Sequence, residues 1–121
     1  MKKMNDLEFY VMAEEMADTI WNICIKWEFF SKNVIGQQLC RAADSICSNI
    51  SEGFGRHYYK ENLRFLYYAR GSLEETRNWL IRAQVRKLID SNLFSELMDK
   101  IELIGKRLNA CINGIKKQIK N

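Results

Sequence analysis

Two groups of side chains carry the chemistry legible in this sequence. The first is cationic and aromatic: Arg56, His57, Tyr58, Tyr59 and Lys60 occupy consecutive positions. Guanidinium and ammonium groups hold phosphates and flat rings stack on unpaired bases, so such a run suits nucleic acid. Later, Lys106, Arg107, Lys116, Lys117 and Lys120 follow one another with no Asp or Glu among or after them. Base-reading pairs at defined spacing are missing. Contacts from Arg56, Lys60 and these five residues are therefore expected to reach mainly phosphate. The second group is a polar stripe at helical spacing, Gln38, Arg41, Ser45, Asn49 and Glu52, with Glu75 downstream. Glu52 and Glu75 can be imagined as a carboxylate pair for acid–base work. Together with Gln38, Arg41, Ser45 and Asn49 they read better as a structural polar network between helices or between subunits, with Arg41 matched to Glu75.

Other chemistries find little support. There is no Gly-rich phosphate loop and no nucleophile elbow, and His57 is the only histidine. The four cysteines, Cys24, Cys40, Cys47 and Cys111, form no CxxC pair. They read as reduced core thiols in a cytoplasmic protein rather than as a disulfide framework or a metal site. No catalytic residue, metal ligand or cofactor is expected, and the chain is not read as an enzyme. Met1-Lys2-Lys3 begins like a signal sequence, but Asp6, Glu8, Glu14 and Glu15 interrupt any apolar run, and no membrane span is expected.

The elements that position these groups are helices. The chain has 121 residues and no proline, which suits one domain over 1–121 made of long, unbroken helices. Phe9, Met12, Met16, Ile20, Ile23 and Trp27 set the stripe of a first helix over about Leu7 to Trp27. Trp21, Trp27, Phe29 and Phe30 crowd the exit of this helix and are expected to plug one end of the core; the alternative is an exposed aromatic patch for a partner, since three aromatics within four residues are hard to bury in one small protomer. Ser31 to Gly36 reads as a loop. Leu39, Ala43, Ile46 and Ile50 recur at four, three and four and define a second helix, Gln37 to Ser51. Gly53 fits a left-handed cap closing that helix, and Gly55 lets the chain reverse.

A third helix, Tyr59 to Lys87, carries the seam Leu66, Ala69, Leu73, Thr76, Leu80 and Ala83, beside a flank of Arg64, Tyr68, Glu75, Asn78 and Arg82. Gly71 lies inside it, where close approach of another helix would account for a glycine. Asp90, Ser91 or Asn92 can cap a fourth helix, Leu93 to Ile119, whose wide stripe includes Phe94, Leu97, Ile101, Ile104, Leu108, Cys111 and Ile115. Four helices joined by short turns predict an all-α, up-down-up-down four-helix bundle. Charge is uneven along it. Residues 1–60 hold seven Lys and Arg against eight Asp and Glu, whereas residues 61–121 hold twelve against seven.

The central stretch carries a resemblance. Gln38, Leu39, Arg41, Ala42, Ala43, Ser45, Ile46, Asn49, Ile50, Glu52, Gly53, Gly55 and Arg56 form one motif, and Phe65, Leu66, Ala69, Arg70, Gly71, Ser72 and Glu75 a second. Together they resemble the four-helix-bundle family of the 23S rRNA intervening-sequence proteins, related to the accessory protein of reverse transcriptases in diversity-generating retroelements. The chain departs from that pattern at Phe30-Ser31, where the family often has proline, and at His57-Tyr58-Tyr59, where it often has a capping serine. The resemblance implies a homo-oligomer, a pentameric ring, associated with RNA or DNA. The alternative is a homo-oligomeric scaffold that binds a protein partner. The surplus apolar surface of helices 2 and 4 also favours assembly.

Overall fold

The computed structural model describes residues 7–120, and every long element in it is a helix. Helix α1 spans Glu8–Cys24. A short α-turn, Phe29–Ser31, and a π-helical turn, Lys32–Gly36, run directly into α2, Gln37–Gly55. Helices α3, Tyr59–Val85, and α4, Ser91–Lys120, complete the bundle. Consecutive helices pack side by side, and α4 returns to α1, which closes the up-down-up-down arrangement. The apolar stripes meet in a single core. Met16, Ile20, Leu39, Ile46, Ile50, Leu66, Leu73, Leu80, Leu97, Ile101, Ile104 and Leu108 are all fully buried. Each such side chain contributes roughly 1.5–3 kcal/mol on leaving water, so the seams hold the helices together.

Several local expectations are corrected. Ser31 to Gly36 is not a loop. Glu28 caps this stretch by accepting from the Ser31 backbone N–H and hydroxyl, and the chain is helical from Phe29 onward. Helix α2 runs past Ser51 to Gly55, and no described glycine has positive φ, so Gly53 is not a left-handed cap. Its smallness serves packing instead. A Cβ there would lie 3.2 Å from the Asn62 carbonyl oxygen and 3.4 Å from Leu66 Cδ2. Gly71 shows the opposite: a Cβ would meet nothing within 4 Å, so no other helix of the chain approaches it. Trp27 packs against the core, but Phe29 and Phe30 do not plug it; they stand 80% and 69% exposed.

The two remaining boundaries have clear causes. Helix α3 ends in a Schellman arrangement, with Leu88 N–H on Ala83 O (2.8 Å) and Lys87 N–H on Gln84 O (3.0 Å). Lys87, not glycine, takes the left-handed position, at φ 64. Asp90 is the cap of α4, its Oδ1 accepting from Leu93 N–H at 2.8 Å.

Candidate nucleic-acid interface

The bundle has two chemically different ends. At one, Phe30 and Val34 share a cleft with Arg86 and Leu88, so the α1–α2 and α3–α4 connections lie together. At the other, the α2–α3 turn sits beside the C-terminal part of α4. Asn62 fixes that turn. It is buried in the seam of α3, and its Nδ2 donates to Gly53 O and to Arg56 O. Its Oδ1 finds no partner among the described residues.

The turn and the adjoining α3–α4 face collect most of the expected cations. Arg56 leaves α2 exposed, pairs with Glu52 at 3.1 Å and lies 4.6 Å above the Phe65 ring. Lys60 opens the first turn of α3 and is exposed. Lys116 places its Nζ 5.7 Å from the Tyr67 ring centre, which ties the last three turns of α4 to the first turns of α3. Lys117 and Lys120 are exposed one residue and one turn further on. Lys106 lies about three turns earlier on α4 and is also exposed. Arg107 points elsewhere: it reaches α1 and pairs with Glu8 at 3.0 Å. Lys60, Lys106, Lys116, Lys117 and Lys120 make no ion pair with another described residue. No acidic residue follows Arg107 in sequence, and α1 supplies its partner.

Other residues on this face are not obvious from sequence. Arg70 donates to Asn109 Oδ1 at 3.1 Å and lies 4.8 Å from the Tyr67 ring. Arg77 bridges Glu74 and Glu102. These contacts form a ladder between α3 and α4. Arg70 and Arg77 are seven apart, as are Glu102, Asn109 and Lys116, the flanking-position spacing of packed helices. That shared period was the available signal. Arg64, exposed on α3, lies 5.3 Å from the Phe65 ring and adds charge beside Arg56. The face is thus cationic toward the α2–α3 turn and mixed from Glu74 onward.

The polar stripe of α2 is only partly drawn together. Asn49 Nδ2 donates to Ser45 O at 2.9 Å and reaches Ser72 Oγ across the α2–α3 interface at 3.5 Å. Gln38, Arg41, Glu52 and Glu75 are exposed. Arg41 and Glu75 form no ion pair within the protomer; Arg41 borders the α1–α2 cleft beside Asp44 instead. That cleft, of roughly 360 Å³, is walled by Trp21, Cys24, Ile25, Gly36 and Cys40. Burial disfavours the thiolate form of its cysteines. Burial pushes Cys24 and Cys40 above the usual thiol range, and Cys47, on the same helix as Cys40, is pushed up to about 12. All four cysteines are free. Among the described residues no cluster of three His, Cys, Asp or Glu side chains could hold a metal ion, and no helix is long and apolar enough to cross a membrane.

The same fold occurs in a crystal structure of a protein of unknown function from the S23 ribosomal protein family of Bacteroides thetaiotaomicron. It superposes with a TM-score of 0.78 at 22% identity, over 87% of this chain and 95% of that one. No curated protein matches the chain. The family model of the 23S rRNA-intervening sequence protein matches residues 5–110, which takes in α1 to α3, the α2–α3 turn and α4 as far as residue 110 but not its last ten residues, and the chain belongs to that family.

Proposed function

We propose that the protein is a non-enzymatic, cytoplasmic, homo-oligomeric module that binds the phosphate backbone of RNA or DNA through its cationic end. The carrying observation is the placement of Lys60, Lys116, Lys117 and Lys120 at one end, without carboxylate partners among the described residues. Arg56 joins them at the turn, Lys106 lies further back along α4 and Arg107 turns to α1; Arg56 and Arg107 are partly neutralised by Glu52 and Glu8. Such a surface attracts phosphates by releasing their counterions and carries little sequence information. Assembly into a ring, a pentamer by the family resemblance, multiplies a weak patch by avidity. The exposed Gln38, Arg41 and Glu75 are then available to meet a neighbouring subunit.

The test is binding of labelled RNA and duplex DNA across a salt series. Wild-type protein should bind at low salt, with affinity falling linearly on a log–log scale. Lys116→Gln, Lys117→Gln and Lys120→Gln together should weaken binding and flatten the slope, by about 0.9 for each duplex phosphate that is no longer neutralised. Absence of any shift at low salt rejects this reading. The second reading, a scaffold for a protein partner, is favoured by Phe29, Phe30, Trp21 and Ile25, all exposed at the opposite end.

A further inference from the structure

The exposed rings fall into two groups with different surroundings. Trp21, Phe29 and Phe30, with Ile25 and Val34, are exposed where α1 leads into α2, Trp21 and Ile25 on one cleft and Phe30 and Val34 on another. Nothing in the structure shows what covers them. Tyr58, Tyr59 and Tyr68 are 67%, 45% and 51% exposed and are interleaved with Arg56, Lys60 and Arg64. We infer that this second group is a stacking site for single-stranded nucleic acid, so that the protein prefers an unpaired strand to a duplex of equal length. The inference rests on the phosphate-binding reading above and narrows its ligand.

Geometry supports the choice. Lys60 and Arg64 are one turn apart, about 6 Å along the outward crest of α3. Rings lie on both flanks of that crest. Tyr68 faces the α2 side, where it meets Phe65 edge to face at 5.5 Å and 87°. Phe65 is itself held under Arg56 and Arg64. Tyr58 precedes α3 in extended backbone, and His57 packs against it at 4.9 Å and 81°. Tyr58 and Tyr68 are therefore braced by neighbours while still open to solvent, which lowers the entropy lost when a base lands on them. By contrast, Tyr67 already has Arg70 and Lys116 against it. A duplex presents phosphates to a convex helix and keeps its base faces internal, so it uses the cations and leaves the rings idle. An unpaired strand uses both, because every base has a stacking face.

Fluorescence anisotropy with labelled probes of about 16 nucleotides, as single-stranded RNA, single-stranded DNA and the matching duplexes, tests this. Wild type should bind one or both single strands roughly ten-fold more tightly than duplex. Tyr58→Ala with Tyr68→Ala should remove that advantage, leaving duplex affinity and the salt slope unchanged. Tyr58→Phe with Tyr68→Phe keeps the rings and should keep the advantage, which separates stacking from misfolding. Equal affinity for strand and duplex, unaffected by the alanine pair, overturns the inference and leaves the phosphate reading standing. Failure of every probe to bind overturns both. A change of oligomeric mass in the alanine pair, with nucleic-acid binding intact, assigns the rings to a protein interface and also overturns it.

Discussion

Asp44 is exposed on α2, yet its carboxyl is not fully hydrated. Partial burial on α2 raises its pKa first, and the negative charge of Asp18 on α1 adds to this. A carboxyl whose folded pKa lies above its unfolded value favours the fold while protonated. That contribution is complete below the unfolded value and is lost as pH rises through the folded one. At neutral pH Asp44 thus works against the fold. Asp44→Asn should raise Tm at pH near 7, and the gain should fade as pH falls toward about 3.9 and be absent below it. Thermal melts at both pH values check this, and a lower Tm at neutral pH would show that Asp44 has a favourable partner. The neighbouring thiols carry no comparable penalty, because burial keeps Cys40 and Cys47 protonated at neutral pH.

At the scale of the helix, two glycines of similar appearance in sequence separate. Gly53→Ala drives a Cβ to 3.2 Å from a backbone oxygen of α3, an atom that cannot move aside alone. It should lower stability by about 1–2 kcal/mol, the overpacking cost less the helix-propensity gain. Gly71→Ala meets no atom and should raise stability by about 1 kcal/mol. Urea denaturation reads both, and a destabilised Gly71→Ala would mean that the open space at that point of α3 is filled. The pattern explains what could be read in advance. Seams such as Leu66, Leu73 and Leu80 repeat at helical spacing, and so their burial follows from sequence alone. The Lys32–Gly36 turn was hidden because π-helical bonding breaks that spacing. The Arg107–Glu8 pair depends on how α4 packs on α1, and the Arg70–Asn109 contact on the register between α3 and α4. The cations themselves were legible as an inventory. Which of them are paired was not, since pairing is a property of neighbours.

The molecule as a whole separates its charge from its exposed hydrocarbon. Cations and braced tyrosines occupy the end with the α2–α3 turn, and Phe29, Phe30 and Trp21 occupy the end with the α1–α2 connection. Exposed apolar surface of that kind tends toward association. Phe29→Ser with Phe30→Ser should therefore lower the mass measured by light scattering, while leaving nucleic-acid binding per protomer at low salt intact. Unchanged mass would exclude that end as a subunit contact. Phe29 and Phe30 are joined to α2 through Lys32–Gly36, whose wider turn lodges one residue more than an α-turn holds. Each residue of an α-helix turns the chain by about 100°. Losing one residue there would leave the buried seam of α2 in place and swing Phe29 and Phe30 around its axis. The five-residue segment is thus a phasing joint, at which a single insertion or deletion can re-aim one end of the molecule during divergence without disturbing the other.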